Sequence, residues 1–355
     1  MPAALMSHPV ISPGRYFHSA NFPELLLEVD ASLLVSTYQA GKLIAIRAGK
    51  ERLSSLIRTL DRPMGIACRN EMLAVGTRGQ VWFWQNAPQL SPELNSVENH
   101  DACYVPRSSH VTGDIRIHEM AWAGNELWFV NTRFSCLCTL HPNYSFIPRW
   151  RPPFISALVA EDRCHINGLA VVGNQPRYVT ALGETDTKEG WRDHKSTGGC
   201  MIDVENNTVL AHGLCMPHSP RWHADRLWVL DSGTGRLLVL DHNTGRSEVV
   251  ATLPGYVRGL AFCGGYAFVG LSKIRETAQF GGLPISNRQS DLKCGVWVVD
   301  TSNGDTVGFL EFETDIEEIF DVQMLAGCRF PNVIGLQSEI ANDVFVLPME
   351  NSIHR

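Results

Sequence analysis

The chain has 355 residues and a mass of 39.4 kDa, is 44% hydrophobic and 19% charged, and carries a formal net charge of −7. That much apolar material supports a large core and excludes disorder, and an acidic chain without a Lys/Arg cluster is not built to bind nucleic acid. No apolar run reaches ~18 residues, so no membrane-spanning helix is expected.

In chain order, one pattern repeats: an apolar strand, a turn of Gly, Asn or Asp, then a second strand rich in Leu, Val and Trp. It occurs at residues 24–31 before 33–36, 64–71 before 73–76, 118–125 before 127–130 and 167–174 before 178–181. It recurs at 218–225 before 227–230, 258–265 before 267–270 and 321–327 before 333–336. Third strands are expected at 41–46, 80–84, 136–140, 200–204, 236–240, 295–299 and 343–347, and fourth strands at 53–60, 248–253 and 306–312. Units at this spacing are propeller blades rather than helical solenoids. The expected fold is all-β, a single β-propeller domain over residues 1–355 with about seven blades, six being the alternative count. Residues 14–18 supply the closing strand, with 1–13 a flexible N-terminus and 349–355 a flexible tail. Residues 1–13 lack the basic and apolar regions of a signal peptide. The ten cysteines stand singly apart from Cys136 and Cys138, and no CxxC occurs. Reduced thiols and a cytoplasmic location are therefore expected, without a membrane partner.

In a propeller, the loop leading into each first strand and the loop joining strands two and three lie on the same face. The register-equivalent residues there are Glu24, Met64, His118, Asn167, His218, Arg258 and Asp321, with Glu119 and His165 beside them. His118 and His218, with His165 and Asp321, are candidate ligands for zinc, iron or copper. Calcium through Glu24, Asn167 and Asp321 is an alternative, and water-bridged channel residues with no metal remain open. Long insertions on the same face are residues 183–199, with Asp186, Trp191, Arg192 and His194, and 272–293, with Lys273, Arg275, Glu276 and Arg288. A third, 86–116, carries His100, Asp101, Arg107, His110 and Asp114. Lys42, Arg78, Arg133, Lys273 and Arg275 would join Arg258 in a cationic mouth suited to a carboxylate, sulfate or phosphate ester, or else lie as solvated charge on turns. Cys200 reads as the start of a buried strand, and the strand tryptophans as inter-blade packing. No GxSxG elbow, P-loop or dinucleotide fingerprint occurs in its required setting.

Ser36-Thr-Tyr-Gln-Ala-Gly-Lys42, Pro63-Met-Gly-Ile-Ala67, Trp191-Arg192 and Met216-Pro-His-Ser-Pro220 resemble one bacterial family. So do Leu230-Asp-Ser-Gly-Thr-Gly235, Gly270-Leu-Ser-Lys-Ile-Arg-Glu276 and Glu317-Glu-Ile-Phe-Asp321. That family comprises conserved proteins of unknown function with predicted propeller structure. The resemblance implies the fold and carries no activity with it. The residues themselves suggest an enzyme acting on a small or peptidyl substrate, an anionic one among the candidates, at the channel mouth. His118, His218, His165 and Asp321 would hold a metal. Arg258, with Arg133, Lys273, Arg275, Trp191 and Arg192, would orient the substrate, and His194 and Asp186 would supply acid/base chemistry. Lyase, isomerase, hydrolase and oxygenase chemistry stay open, as does the oligomeric state. The rival is a non-catalytic propeller scaffold that binds a protein or peptide.

Overall fold

The computed structural model describes residues 10–11, 16–49, 53–69, 71–90, 100–274, 281–313 and 315–346. Short β-branched and aromatic runs punctuated by turn residues favour antiparallel meanders. The hairpins at Gly173-Asn174 and Ala224-Asp225 place both central residues at positive φ, the backbone whose twist matches that of the flanking strands. Six such meanders form six separate sheets, the blades of a propeller.

Blade one takes its innermost strand, Asp321–Ala326, from the C-terminal region and pairs it with Ala31–Thr37, followed by Lys42–Ala48 and Leu53–Thr59. Blade two is Ile66–Arg69, Met72–Gly76, Gln80–Asn86 and Ala102–Val111. Blade three runs Ile117–Ala123, Glu126–Asn131, Cys136–His141 and Tyr144–Trp150. Blade four is Ile166–Val172, Gln175–Ala181, Gly199–Asp203 and Thr208–Leu214. Blade five is Pro217–His223, Arg226–Asp231, Arg236–Leu240 and Ser247–Thr252. Blade six is Tyr256–Cys263, Tyr266–Ser272, Gly295–Asp300 and Thr306–Phe312.

The count is six, not about seven, because the expected first and last units are two parts of one blade. Residues 22–28 form a short helix, Phe22–Glu28, rather than a strand. Phe22-Pro-Glu-Leu-Leu-Leu-Glu has proline in its first turn, where no amide partner is lost. It buries Phe22, Leu25 and Leu26, the i, i+3, i+4 set of one helix face. That face packs with Leu33, Val35 and Ile44 of blade one and Phe268 and Leu310 of blade six. The expected closing strand also moves: Tyr16–His18 pairs outside Thr306–Phe312 as a fifth strand of blade six, while Gly14 and Arg15 lie outside the described residues. Val10–Ile11, expected to be flexible, pairs antiparallel with residues 17 and 18. Pro331–Val333 runs parallel to the outer strand of blade two, and Ile340–Asp343 is one helical turn instead of a third strand. Residues 349–355 lie outside the described residues. Within the supposed 86–116 insertion, Ala102–Val111 is the outer strand of blade two. All ten cysteines are unbridged thiols, and Cys200 is buried in its strand as expected. No helix among the described residues is long and apolar enough to cross a membrane.

The inner strands are joined in two alternating ways. Asp321, Glu119 and Arg221, from blades one, three and five, each bond to the backbone of the next blade. Asp321 accepts the Ile66 N–H at 2.8 Å, Glu119 accepts the Leu169 N–H at 3.2 Å, and Arg221 Nε donates to the Leu260 carbonyl at 2.8 Å. Arg221 Nη1 also bonds Glu119, and Nη2 stands 3.7 Å from Asp321. At the intervening seams the residue is glycine. A Cβ on Gly65, Gly168 or Gly259 would meet Glu119 Cα at 3.0 Å, Pro220 Cδ at 2.3 Å or Val322 N at 2.7 Å. These are the glycines of the repeated Gly-Ile/Leu-Ala triplets at residues 65–67, 168–170 and 259–261. The six blades thus carry an approximate threefold pattern of polar staples and close backbone contacts.

Candidate functional site

One end of the channel opens into a cavity of about 360 Å³. Every lining residue belongs to a loop leading into an inner strand, to the first residues of that strand, or to the end of strand two and the turn that follows it. Blade one contributes Tyr38, Gln39, Glu317, Glu318 and Phe320, and blade two Met64 and Arg78. Blade three supplies Asp114, Arg116 and His118, and blade four Asp162, His165, Trp191 and Arg192. Blade six adds Tyr256, Arg258, Ser272, Lys273 and Ile274. Five basic side chains therefore meet four carboxylates.

The lead-in loops share a local device. Arg62, Arg116, His165 and Met216 all have positive φ, near 50°, and each stands two residues before the register residue Met64, His118, Asn167 or His218. Left-handed backbone is strained for residues other than glycine. Its effect is visible at two histidines. His118 Nδ1 lies 3.1 Å from the Arg116 carbonyl and 2.8 Å from Thr132 Oγ1. His218 Nδ1 lies 2.8 Å from the Met216 carbonyl and 3.0 Å from Ser232 Oγ. A carbonyl can only accept, so Nδ1 carries the hydrogen and Nε2 its lone pair. Burial, reinforced by nearby charge, holds both imidazoles well below their ordinary pKa, so both are neutral.

His165 is supported differently. Its Nδ1 lies 2.9 Å from both oxygens of Asp162, and Arg116 Nη1 donates to the same carboxylate at 2.8 Å. Arg116, Asp162 and His165 all have positive φ, so three strained residues converge on one charge-assisted chain. The His165 ring stands 4.8 Å from His118, edge to face, and 4.5 Å from Trp191. Phe320 continues this belt 5.2 Å from His118, and the Arg258 guanidinium lies 3.4 Å above the Phe320 ring. Glu318 is 3.8 Å from Arg258. Burial lowers the Arg258 pKa and raises that of Glu318, each opposed by the other's charge.

Of the expected site residues, Arg258, Lys273, Trp191, Arg192, His118 and His165 line the cavity. His218 does not; it is buried against Tyr256 in the channel wall. Asp321 serves the axial staple. His194 is exposed outside the lining. Asp186 accepts from the Ser156 side chain, the Ser156 N–H at 3.0 Å and Arg163 at 2.7 Å, and these bonds depress its pKa to about 2, which suits a structural clamp rather than a base. Arg133 is exposed and donates to the Asp114 carbonyl at 3.0 Å. Arg275 lies outside the described residues. Glu24 is exposed on the N-terminal helix, and Asn167 is tied to Thr180 at 2.6 Å, so the calcium set does not converge. Among the described residues, no three His, Cys, Asp or Glu side chains come close enough together to hold a metal ion. Arg116, Asp162, Tyr38 and Phe320 were not singled out from the sequence. The one available signal for Arg116 was its register, two residues before His118, matching His165 before Asn167.

The chain belongs to the family described as "Domain of unknown function (DUF4915)", whose model matches residues 20–334. No curated protein matches it. Two solved structures are similar. One is a chain in the crystal structure of a nidogen/laminin complex, with TM-score 0.50 and 11% identity, covering 84% of this chain and 99% of that chain. The other is a protein of unknown function from Bacteroides caccae, with TM-score 0.51 and 10% identity, covering 83% of this chain and 98% of that chain. At these identities the likeness shows the fold alone.

Proposed function

We propose that this member of the DUF4915 family is an enzyme that performs acid–base chemistry on a small organic molecule at the channel mouth. The observation that carries the reading is the strained Arg116–Asp162–His165 chain beside a second, neutral imidazole in the cavity at the channel mouth. Asp162 orients His165 and stabilises the imidazolium that forms when Nε2 takes a proton. His118, fixed in its Nδ1–H form, offers a second acceptor to the same space. The scaffold alternative fits less well, although a similar fold occurs in a protein complex. Among the described residues the large exposed apolar side chains, Val111, Tyr144, Leu158, Val249 and Phe345, all lie outside the cavity lining, and a protein-binding mouth needs an apolar patch.

The test is turnover of a small-molecule panel followed by proton NMR in deuterated and ordinary water. His165→Gln and Asp162→Asn should each reduce turnover by ~10²–10⁴-fold while thermal unfolding stays cooperative. Turnover indifferent to both substitutions sinks the assignment. A second reading keeps a histidine-bound zinc, iron or copper ion. It is favoured by the Nδ1 atoms of His118 and His165, whose rings stand 4.8 Å apart, both being tied to oxygen, as they are in metal-ligating histidines. Elemental analysis of untagged protein purified without chelator separates the two. Near-stoichiometric metal that disappears in the His118→Ala/His165→Ala protein selects the metal reading.

A further inference from the structure

Buried N–H groups without an acceptor are rare in folded proteins and call for a missing partner. Among the described residues, seven buried side-chain polar atoms lack one: Ser32 Oγ, Trp122 Nε1, Asn167 Nδ2, Arg177 Nε, Trp191 Nε1, Arg221 Nη2 and Arg258 Nη2. Four of them, on Asn167, Trp191, Arg221 and Arg258, belong to the channel or its cavity, and all four are donors. Trp191 is 1% exposed and Asn167 2%, so bulk water does not serve them. Trp191 and Arg258 line the cavity at opposite ends of the aromatic belt, with His165, His118 and Phe320 between them.

The acceptors of the cavity are equally specific. Nε2 of His118 and of His165 has no hydrogen-bond partner among the described residues, and for the neutral ring with Nδ1–H it is a lone pair. Such atoms accept from hydroxyl groups. Lys273, which lines the cavity from blade six with Arg258, makes no side-chain hydrogen bond or ion pair among the described residues, so that end of the belt carries two cations against one partnered carboxylate, Glu318, 3.8 Å from Arg258. The belt itself offers ring faces for carbon-bound hydrogens to pack on.

The geometry points to a polyhydroxylated organic anion, a sugar acid or sugar phosphate, as the substrate class. Its anionic group lies at Arg258 and Lys273, its hydroxyls at the two imidazoles, and a further oxygen at the Trp191 N–H. This rests on the acid–base reading above and adds the ligand to it. The reacting hydroxyl or adjacent carbon then sits over His165, between the two anchors. A purely apolar ligand would leave the donors at both ends unsatisfied, at a cost that a hydrogen-bonding site does not tolerate.

Gluconate, hexanoate and glucose 6-phosphate are the probes, titrated calorimetrically at constant ionic strength into the full chain and into Trp191→Phe and Arg258→Gln. Gluconate and hexanoate share a six-carbon carboxylate and differ in hydroxyls. Gluconate or glucose 6-phosphate should bind at least about tenfold more tightly than hexanoate, and whichever is tighter identifies the anion as carboxylate or phosphate. Trp191→Phe keeps a ring and removes the N–H. It should weaken the hydroxylated ligand by ~3–10-fold and leave hexanoate unchanged, whereas Arg258→Gln should weaken all three. Hexanoate binding as well as gluconate, no binding by any probe, or hydroxylated-ligand affinity indifferent to Trp191→Phe overturns the inference. Those results leave the acid–base reading intact, because turnover of an uncharged substrate would still depend on His165.

Discussion

Gly168 shows how one missing side chain sets the channel. A Cβ there would stand 2.3 Å from Pro220 Cδ and 2.4 Å from Thr180 Oγ1. Proline cannot rotate away, and Thr180 is committed to Asn167 at 2.6 Å, so the inner strands of blades four and five would have to separate. Gly168→Ala should therefore destabilise the protein by ~1–3 kcal/mol, read as a lower midpoint in denaturant with an unchanged slope. A wild-type midpoint would mean that the seam has slack. The same scale explains what could be read of the site. His118, His165, Arg258, Lys273, Trp191 and Arg192 were legible because the address of a loop in the repeat tells which face it lies on. The address does not tell which way a side chain turns: Trp191 is buried and His194, three residues on, is exposed. Asp162 was illegible for a related reason. Its role depends on positive φ at both Asp162 and His165, a conformation that neither residue type announces.

At the level of elements, the inner strands are held by a polar staple whose charge state depends on pH. Burial is the largest influence on Glu119 and raises its pKa to about 7. Arg221 opposes that shift, Asp321 adds to it, and Arg258 is the other charge within reach. Between the ordinary glutamate range and about 7, the folded chain therefore binds a proton that the unfolded chain has released. The resulting stabilisation is complete below the unfolded pKa and is lost as pH rises through about 7. His118 and His218 act oppositely. Their lowered pKa values give stability that is present above the ordinary histidine range and lost on acidification. Glu119→Gln removes the first effect and leaves the second, so the difference between the two proteins isolates Glu119. Glutamine misplaces a donor against Leu169 N–H or Arg221, which lowers stability by a roughly constant amount. The difference should then move in the variant's favour from pH 5 to pH 8 when melting is followed by calorimetry. A flat or opposite trend would show Glu119 ionised throughout. Most of these strands were legible: the second and third strands of the six blades and the outer strands of blades one, five and six fall within about three residues of expectation, because alternating apolar patterns and turn residues are local signals. The outer strands of blades two, three and four were not expected. Phe22–Glu28 was misread because three consecutive leucines satisfy a strand as readily as one helix face.

For the whole molecule, closure is the property a linear reading could not deliver. Residues 24–60 and 321–347 each looked like a blade of their own, and both were counted. The pairing that fuses them, Asp321 with Ser36 through Ala326 with Ala31, links opposite ends of the chain and leaves no local trace. Its consequence is mechanical. The C-terminal strand is the innermost of blade one, so it fills the seam to blade six through Gly259 and stitches blade two through Asp321 and Ile66. The cavity depends on it as well, because Glu317, Glu318 and Phe320 lead directly into it. Two truncated chains separate closure from mere loss of residues. Ending the chain at residue 339 removes Ala341, Val344 and Val346 from a peripheral apolar cluster, which should cost ~1–3 kcal/mol and preserve a single cooperative transition. Ending it at residue 319 removes the inner strand and leaves Leu33, Val35 and Ile44 facing water along an open edge. That chain should lose its cooperative transition and aggregate. If instead it melted as sharply as the longer one, blade one would have to be stable without its axial strand, and the ring would not be closed by the pairing of the chain's two ends.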